Sequence, residues 1–440
     1  MEKSTKPVVN FIKAVIIILV AAIIVVGTSR ILVLKSEDGI NQFQAFYKQP
    51  ENSIDVIFSG SSKVFCDIAT GVLWENYGIA AYDLAGAEAP SWVSYYQLKE
   101  AFKTQKPKVI CYEVSVAAMY DMLYQANNWA TDNSYGMKWN SNRINLLKID
   151  SEEDAFYERL NPFNIMHGRY KDLNENDFTN VRNSANYKGF DPRERIVEVN
   201  TPDLCDISVI EPCTEKEDIY IRKIIELAKQ ENIPILLFAS PYESPEEDQK
   251  ILNYVRTIAD EEGVEFIDFN REYDKFGMDF SKDMSDGGHL NFSGNYKFTN
   301  YFGSILKEKY DIPDHRGDKN YTSWDWDLAL QNYERNNLKI KNTEDAVEIL
   351  TMTQNGYIVF GTNGEKAYII DNGEVVSEGE SGFRLPYTKG EDAFLFKEWN
   401  DKGNRLISLF VNDEEHIEYY GNILFIYDTV NHVFVRSIYY

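Results

Sequence analysis

From residue 54 onward, short apolar runs alternate with stretches whose apolar residues recur every three or four positions. The runs at 54–59 (IDVIFS), 79–83 (IAAYD), 108–112 (KVICY), 233–239 (IPILLFA) and 264–267 (VEFI) are brief and mostly apolar. That is the pattern of strands covered on both faces of a parallel sheet. Between them, Trp92, Tyr95, Tyr96, Leu98 and Phe102 mark one helical face. Ile221, Ile224, Ile225 and Ala228 mark a second, and Ile251, Tyr254, Val255 and Ile258 a third. A last helix is predicted from Ser293, with Phe298, Tyr301, Phe302, Ile305 and Leu306 on one side. Alternating β and α predicts a doubly wound α/β sheet, whose functional residues belong at the carboxyl ends of the strands.

Three other stretches break that rhythm. Residues 14–29 carry no charge, and beyond Arg30 the apolar run continues to Leu34. An arginine near a helix end can reach the headgroups, so the segment is long enough to cross a bilayer. Lys3, Lys6 and Lys13 precede it, which predicts a cytoplasmic N-terminus, a single-pass anchor at 1–35 and an extracytoplasmic body. A cleaved signal peptide is the competing reading, but no small-x-small site follows the apolar core. Residues 117–215, rich in Asn, Asp, Tyr and Trp, read as an insertion with short helices at the carboxyl edge of the sheet, within a main domain at 36–325. A polar linker at 314–319 and a charged helix-like stretch follow. From 343 to 440 the pattern becomes mainly β, with runs at 357–360, 367–370, 374–376, 406–411 and 423–427 and Asn-Gly turns.

Composition narrows the function. The 440-residue chain is 44% hydrophobic and 14% aromatic, enough for at least two packed domains. Its net charge of -25 disfavours a nucleic-acid partner, which needs a basic face. Cys66, Cys111, Cys205 and Cys213 form no C-x-x-C pair. Cys205 and Cys213 flank a short loop, and a disulfide between them outside the cell is one of the pairings left open. The five histidines show no metal-ligand spacing, and no cofactor is expected.

The candidate chemistry lies at strand ends. Gly60-Ser61-Ser62 follows the first strand, Gly86 follows the second, and Asp286-Gly287-Gly288-His289 precedes the last helix. A serine hydroxyl becomes nucleophilic when a histidine takes its proton, and a carboxylate fixes that histidine's tautomer. Asp283, three residues before Asp286, is the alternative acid.

Taken together, these blocks resemble the SGNH/GDSL hydrolase superfamily over residues 54–310. The resemblance implies a flavodoxin-like three-layer fold with a parallel sheet. It implies Ser62 as nucleophile, Asp286 as acid and His289 as base, with the backbone N–H groups of Ser62 and Gly86 as an oxyanion hole. The family's asparagine after the third strand is missing. Here Tyr112-Glu113-Val114-Ser115-Val116 stands instead, so Ser115 or a backbone N–H would have to substitute. Gly-Ser-Ser, D-G-G-H-L-N-F-S-G-N, the anchor and the large insertion look like the DltD-type and alginate-acetylation-type branch. That branch implies O-acyl transfer, chiefly acetyl, to a cell-surface polysaccharide or teichoic-acid-like polymer, beside a membrane-bound O-acyltransferase. An esterase with the same triad and a non-catalytic polymer-binding partner are the alternatives. The segment 421–428 (GNILFIYD) with 433–437 (VFVRS) resembles the closing strands of ILEI-like (GG) domains, which implies a carbohydrate or partner contact.

Overall fold

The computed structural model describes residues 6–33, 39–119, 129–150, 155–160, 162–173, 176–179, 187–193, 195–204, 206–325, 327–328, 331, 357–371, 374–412, 414–429 and 432–439. The chain divides into two compact units, Met1–Gln331 and Asn332–Tyr440. Cys205 lies outside the described residues, as does the helix-like stretch expected up to residue 342 apart from residues 327, 328 and 331. Cys213 itself is buried.

In the first unit, α1 (Lys6–Leu32) is a single long helix, and its Val9–Leu32 part is long and apolar enough to cross a membrane. A short helix, α2 (Ile40–Phe46), leads into the sheet. The strands are β1 (Val56–Gly60), β2 (Ala81–Ala85), β3 (Val109–Glu113), β4 (Ile235–Ala239) and β5 (Glu265–Asp268). They are parallel throughout, in the order β2-β1-β3-β4-β5. This is the flavodoxin-like doubly wound order. Its direction reverses between β1 and β3, which opens a crevice at the carboxyl ends of those two strands.

Alternation along each strand builds the three layers. Ile57, Tyr82, Ile110 and Leu237 face one side, with Trp92, Ile221, Ile224, Leu252 and Val255 packed over them. Val56, Phe58, Cys111, Leu236 and Phe238 face the other, under Val64, Phe65, Phe298, Phe302 and Leu306. Successive side chains of a strand point to opposite faces, so strands apolar throughout need cover on both. Helices Glu215–Glu231 and Glu246–Glu262 and α5 (Ser91–Ala101) cover the first face. On the second face lie α3 (Ser62–Asp67), α4 (Thr70–Tyr77) and the helix Phe292–Lys309.

The polar segment read as a linker is docked onto this core. His315 Nε2 lies 3.0 Å from Asp55 Oδ2, and the His315 ring stacks on Tyr321 at 3.8 Å. Trp324 is buried beside Trp74, and Gln331 Oε1 accepts the Gly71 N–H. Aromatic stacking explains why a charged segment does not swing free here.

The second unit is antiparallel. One sheet runs β14-β13-β6-β7-β8: β6 (Tyr357–Asn363), β7 (Lys366–Asp371), β8 (Glu374–Glu380), β13 (Asn422–Asp428) and β14 (Val433–Tyr439). The other runs β12-β11-β10-β9: β9 (Arg384–Lys389), β10 (Asp392–Asp401), β11 (Asn404–Val411) and β12 (Glu414–Tyr419). Their inner faces share Phe360, Phe394, Phe396, Ile407 and Phe425.

Candidate active site

The turn out of β1 separates the two serines. Gly60 has φ +151°, and a Cβ there would stand 2.8 Å from Glu113 Cβ, so only glycine fits between β1 and β3. Ser61 caps α3: its Oγ accepts the Lys63 N–H and donates to Glu113 Oε2, both at 3.4 Å. It is turned inward. Ser62 is the first residue of the helix, and its Oγ lies 2.8 Å from His289 Nε2.

His289 is oriented from behind. Its Nδ1 lies 2.9 Å from Asp286 Oδ1 and 3.1 Å from Oδ2. Asp286 Oδ1 also accepts the N–H groups of Gly288 (2.8 Å) and His289 (3.0 Å). Partial burial raises the pKa of this carboxyl, yet the His289 hydrogen bond and charge and the two N–H groups outweigh burial and hold it well below the usual carboxylate range. A carboxylate ionised that firmly fixes the tautomer that leaves Nε2 free to accept a proton from Ser62. Asp283 takes no part. Its Oδ2 accepts from Lys297 Nζ (2.6 Å) and the Asp279 N–H (2.7 Å), away from the histidine.

Two residues that sequence reasoning passed over hold the turn in place. Lys63 and Asp67 stand four apart on α3 and therefore on one face of it. Lys63 Nζ donates to the Gly288 carbonyl at 2.5 Å, and Asp67 Oδ1 accepts the Leu290 N–H at 2.8 Å. These bonds grip the backbone on either side of His289. Lys63 is buried, with its ammonium 3.7 Å from the Tyr242 ring centroid. Burial pushes that ammonium's pKa down, against the pull of Asp67, Glu113 and Asp286. Burial likewise pushes the Asp67 and Glu113 carboxyls up, against Lys63. The only legible signal was a lysine standing inside the apolar run K-V-F-C.

The Gly86 N–H donates to the Gly60 carbonyl at 3.3 Å, which extends the β1–β2 ladder by one step. A Cβ on Gly86 would stand 1.6 Å from Asn133 Oδ1. Asn133 comes from the insertion helix Trp129–Tyr135 and its Nδ2 donates to the Ala87 carbonyl at 2.9 Å. It props the Gly86–Ala87 turn from outside the sheet. The Ser115 N–H is committed to Glu113 Oε1 at 3.0 Å, and Glu113 also takes the Ser240 N–H at 3.3 Å. The Ser62 N–H stands at the first position of α3, where a helix offers no acceptor of its own.

The chain after the insertion helices borders the site. The N–H groups of Asp191 and Val197 donate to the carbonyls of Phe65 (2.6 Å) and Met284 (2.9 Å). Asn200 Nδ2 donates to Glu243 Oε1 at 2.6 Å, and the Glu243 N–H to the Gly287 carbonyl at 3.0 Å. The triad stays open to solvent, with the His289 side chain 26% exposed. Among the described residues, no cluster of three or more His, Cys, Asp or Glu side chains could hold a metal ion.

No protein-family model and no curated protein matches the chain. Solved structures do. A protein described as an acylhydrolase from Bacteroides fragilis is 12% identical, over 62% of this chain and 99% of its own, with a TM-score of 0.32. A GDSL-like lipase from Bacteroides thetaiotaomicron is 11% identical over 57% and 87%, with a TM-score of 0.29. A protein described as a GDSL-like lipase from Parabacteroides merdae is 12% identical over 59% and 99%, with a TM-score of 0.28.

Proposed function

We propose that this chain is a membrane-anchored serine acyltransferase of the SGNH type. In this reading α1 is an uncleaved anchor, and the body works outside the cytoplasm on a cell-envelope polysaccharide or teichoic-acid-like polymer. The observation that carries the chemistry is the unbroken relay Ser62 Oγ – His289 Nε2 – His289 Nδ1 – Asp286, with every step at 2.8–2.9 Å.

The mechanism follows from those contacts. His289 Nε2 takes the Ser62 proton as Oγ attacks the acyl carbonyl. Asp286 stabilises the imidazolium that forms. The Ser62 N–H receives the oxyanion. Gly86 adds a second donor by giving up its long 3.3 Å bond to Gly60. Collapse expels the donor's alcohol or amine, which takes the proton from His289 and leaves an ester on Ser62. A sugar hydroxyl, deprotonated by His289, then attacks that ester. The acyl group passes to the sugar, and the proton returns to Ser62.

Solvent exposure of His289 favours one further reading, an esterase in which water replaces the sugar. Two measurements separate the cases. A fluorophosphonate probe should label the full chain, and Ser62→Ala should abolish labelling; persistent labelling of Ser62→Ala removes the nucleophile assignment. Acetate release from p-nitrophenyl acetate, measured with and without oligosaccharide acceptors, then decides transfer against hydrolysis. Acetylated oligosaccharide is the expected product, and free acetate unaffected by every acceptor would identify an esterase.

A further inference from the structure

We propose that the short helices of the insertion form a lipid-binding collar around the exit of α1, seating the catalytic unit on the bilayer surface. The inference rests on the reading of α1 as an anchor and adds a second, peripheral contact with the same membrane.

The end of α1 is built into the body. Ser29 and Leu32 are buried, and Leu32 packs with Ile40, Tyr135 and Met166, flanked by Val33, Ile165 and Leu173. Arg169 Nη1 donates to the Leu32 carbonyl at 2.5 Å, and Nη2 to Asp177 Oδ1 at 2.9 Å. The elements Pro162–Met166, His167–Lys171 and Asn176–Thr179 are therefore fastened to the turn where α1 leaves the body.

Those same elements hold large rings in the open. Phe163 is 38% exposed, Tyr170 64% and Phe178 61%. Each stands within two residues of Ile165, Arg169 or Asp177, all engaged at the exit of α1. At about 3.8 Å per residue, none can be far from it.

Depth decides what such rings would meet. About 20 helical residues cross the ~30 Å hydrocarbon core. The apolar helix Val9–Leu32 has 24 residues with Lys13 near its inner end, so the packed turn Ser29–Leu32 lies at the outer end of the span, where hydrocarbon gives way to headgroups. Aromatic rings favour that layer because one edge can sit in hydrocarbon and the other in water. Arg30 and Lys171 are exposed there, with Lys171 Nζ 5.6 Å from the Tyr170 ring centroid, so two cations face the lipid phosphates. On α1 itself Ile16, Ile17, Ile18, Ile23 and Ile24 are exposed. One lipid phase covers both. Because the same insertion delivers Asn133 to Gly86, seating the collar also sets the height of the triad above the bilayer.

The test uses the full chain in vesicles of phosphatidylcholine and phosphatidylglycerol carrying a nitroxide-labelled lipid. A bimane fluorophore is placed at Tyr170→Cys, Phe178→Cys, Ile18→Cys or Glu265→Cys, against the unsubstituted protein as thiol background. Glu265 lies on β5, the sheet edge opposite β2. Positions 18, 170 and 178 are expected to lose about half their emission or more, as interfacial and buried sites do, and 265 almost none. Quenching at 18 without quenching at 170 and 178 would overturn the collar and leave the anchor standing. Quenching at none would overturn both. Equal quenching at 265 would also overturn the collar. Shielding of 170 and 178 from thiol reagents in native membranes, without quenching in vesicles, would assign this face to a protein partner and reject the lipid.

Discussion

At the scale of single residues, the site is a relay whose parts come from two turns bonded directly to each other. Asp286 matters through the tautomer that it imposes on His289. Asp286→Asn is expected to leave the fold intact and to slow fluorophosphonate labelling about ten-thousand-fold, as a wrong tautomer does elsewhere. Asp283→Asn should leave the relay itself untouched, since Asp283 pairs with Lys297. Lys63 makes a subtler claim. Lys63→Met removes the grip on the Gly288 carbonyl, and a shift of about 1 Å in the histidine would slow labelling by about 100-fold. Lys63→Arg, which keeps a donor and a charge, should recover much of that loss. Equal rates in the wild type and Lys63→Met, with thermal unfolding checked in parallel, would show that the turn holds itself. Ser62, Asp286 and His289 were legible because their residue types and chain order are chemically specific. Lys63 and Asn133 were not, because a buried lysine and a helical asparagine gain meaning only from what stands opposite them.

Among the elements, the helix Phe292–Lys309 carries most of the positioning. Asn291 caps it, accepting the Ser293 (2.9 Å) and Gly294 (3.2 Å) N–H groups, only two residues after His289. Its aromatic face is locked to the sheet, with Phe302 4.9 Å from Phe238 and 5.5 Å from Phe58. Phe302→Ala should cost about 3–5 kcal/mol in chemical denaturation. On the other face, Glu217 accepts from the Ser91 N–H at 3.3 Å and from the Ser91 hydroxyl, and Tyr112 donates to Ser91 Oγ at 2.6 Å. This network pins helix Glu215–Glu231 to the start of α5. Burial raises the Glu217 carboxyl from 4.5 to about 7, with the Ser91 bonds and Lys216 opposing it. A raised carboxyl favours the folded state while protonated, so its contribution is complete below about 4.5 and lost as pH rises through about 7. Wild-type stability should fall by on the order of 3 kcal/mol more than that of Glu217→Gln between pH 5 and pH 8. Parallel curves for the two proteins would refute the assignment. The strands of this sheet were readable as apolar runs. Helix α3 was not, because six residues are too few for a periodic pattern.

For the whole molecule, the division at Gln331 places the full triad within the first unit. A chain ending after Gln331 is therefore expected to label at Ser62 at the wild-type rate. A large loss in a truncated chain with an unchanged melting profile would give the second unit a part in the chemistry. The same scale shows what each source of information decided. Sequence alone determined the alternation of strands and helices, the apolar helix at the start, the β-rich end, and the identities of a serine, an acid and a histidine. Those depend on periodicity and side-chain chemistry, which are local. β9, β10 and β12 were missed because their residues alternate with many charges, and pairing with neighbours, more than intrinsic pattern, makes them strands. Only the tertiary structure decided that Ser62 faces His289 while Ser61 turns inward, that the Gly86 N–H is engaged by Gly60, and that Lys63 and Asp67 clamp the turn. The contacts of Ser62, Lys63 and Asp67 join residues more than two hundred positions apart, and no local pattern encodes a distance across a sheet.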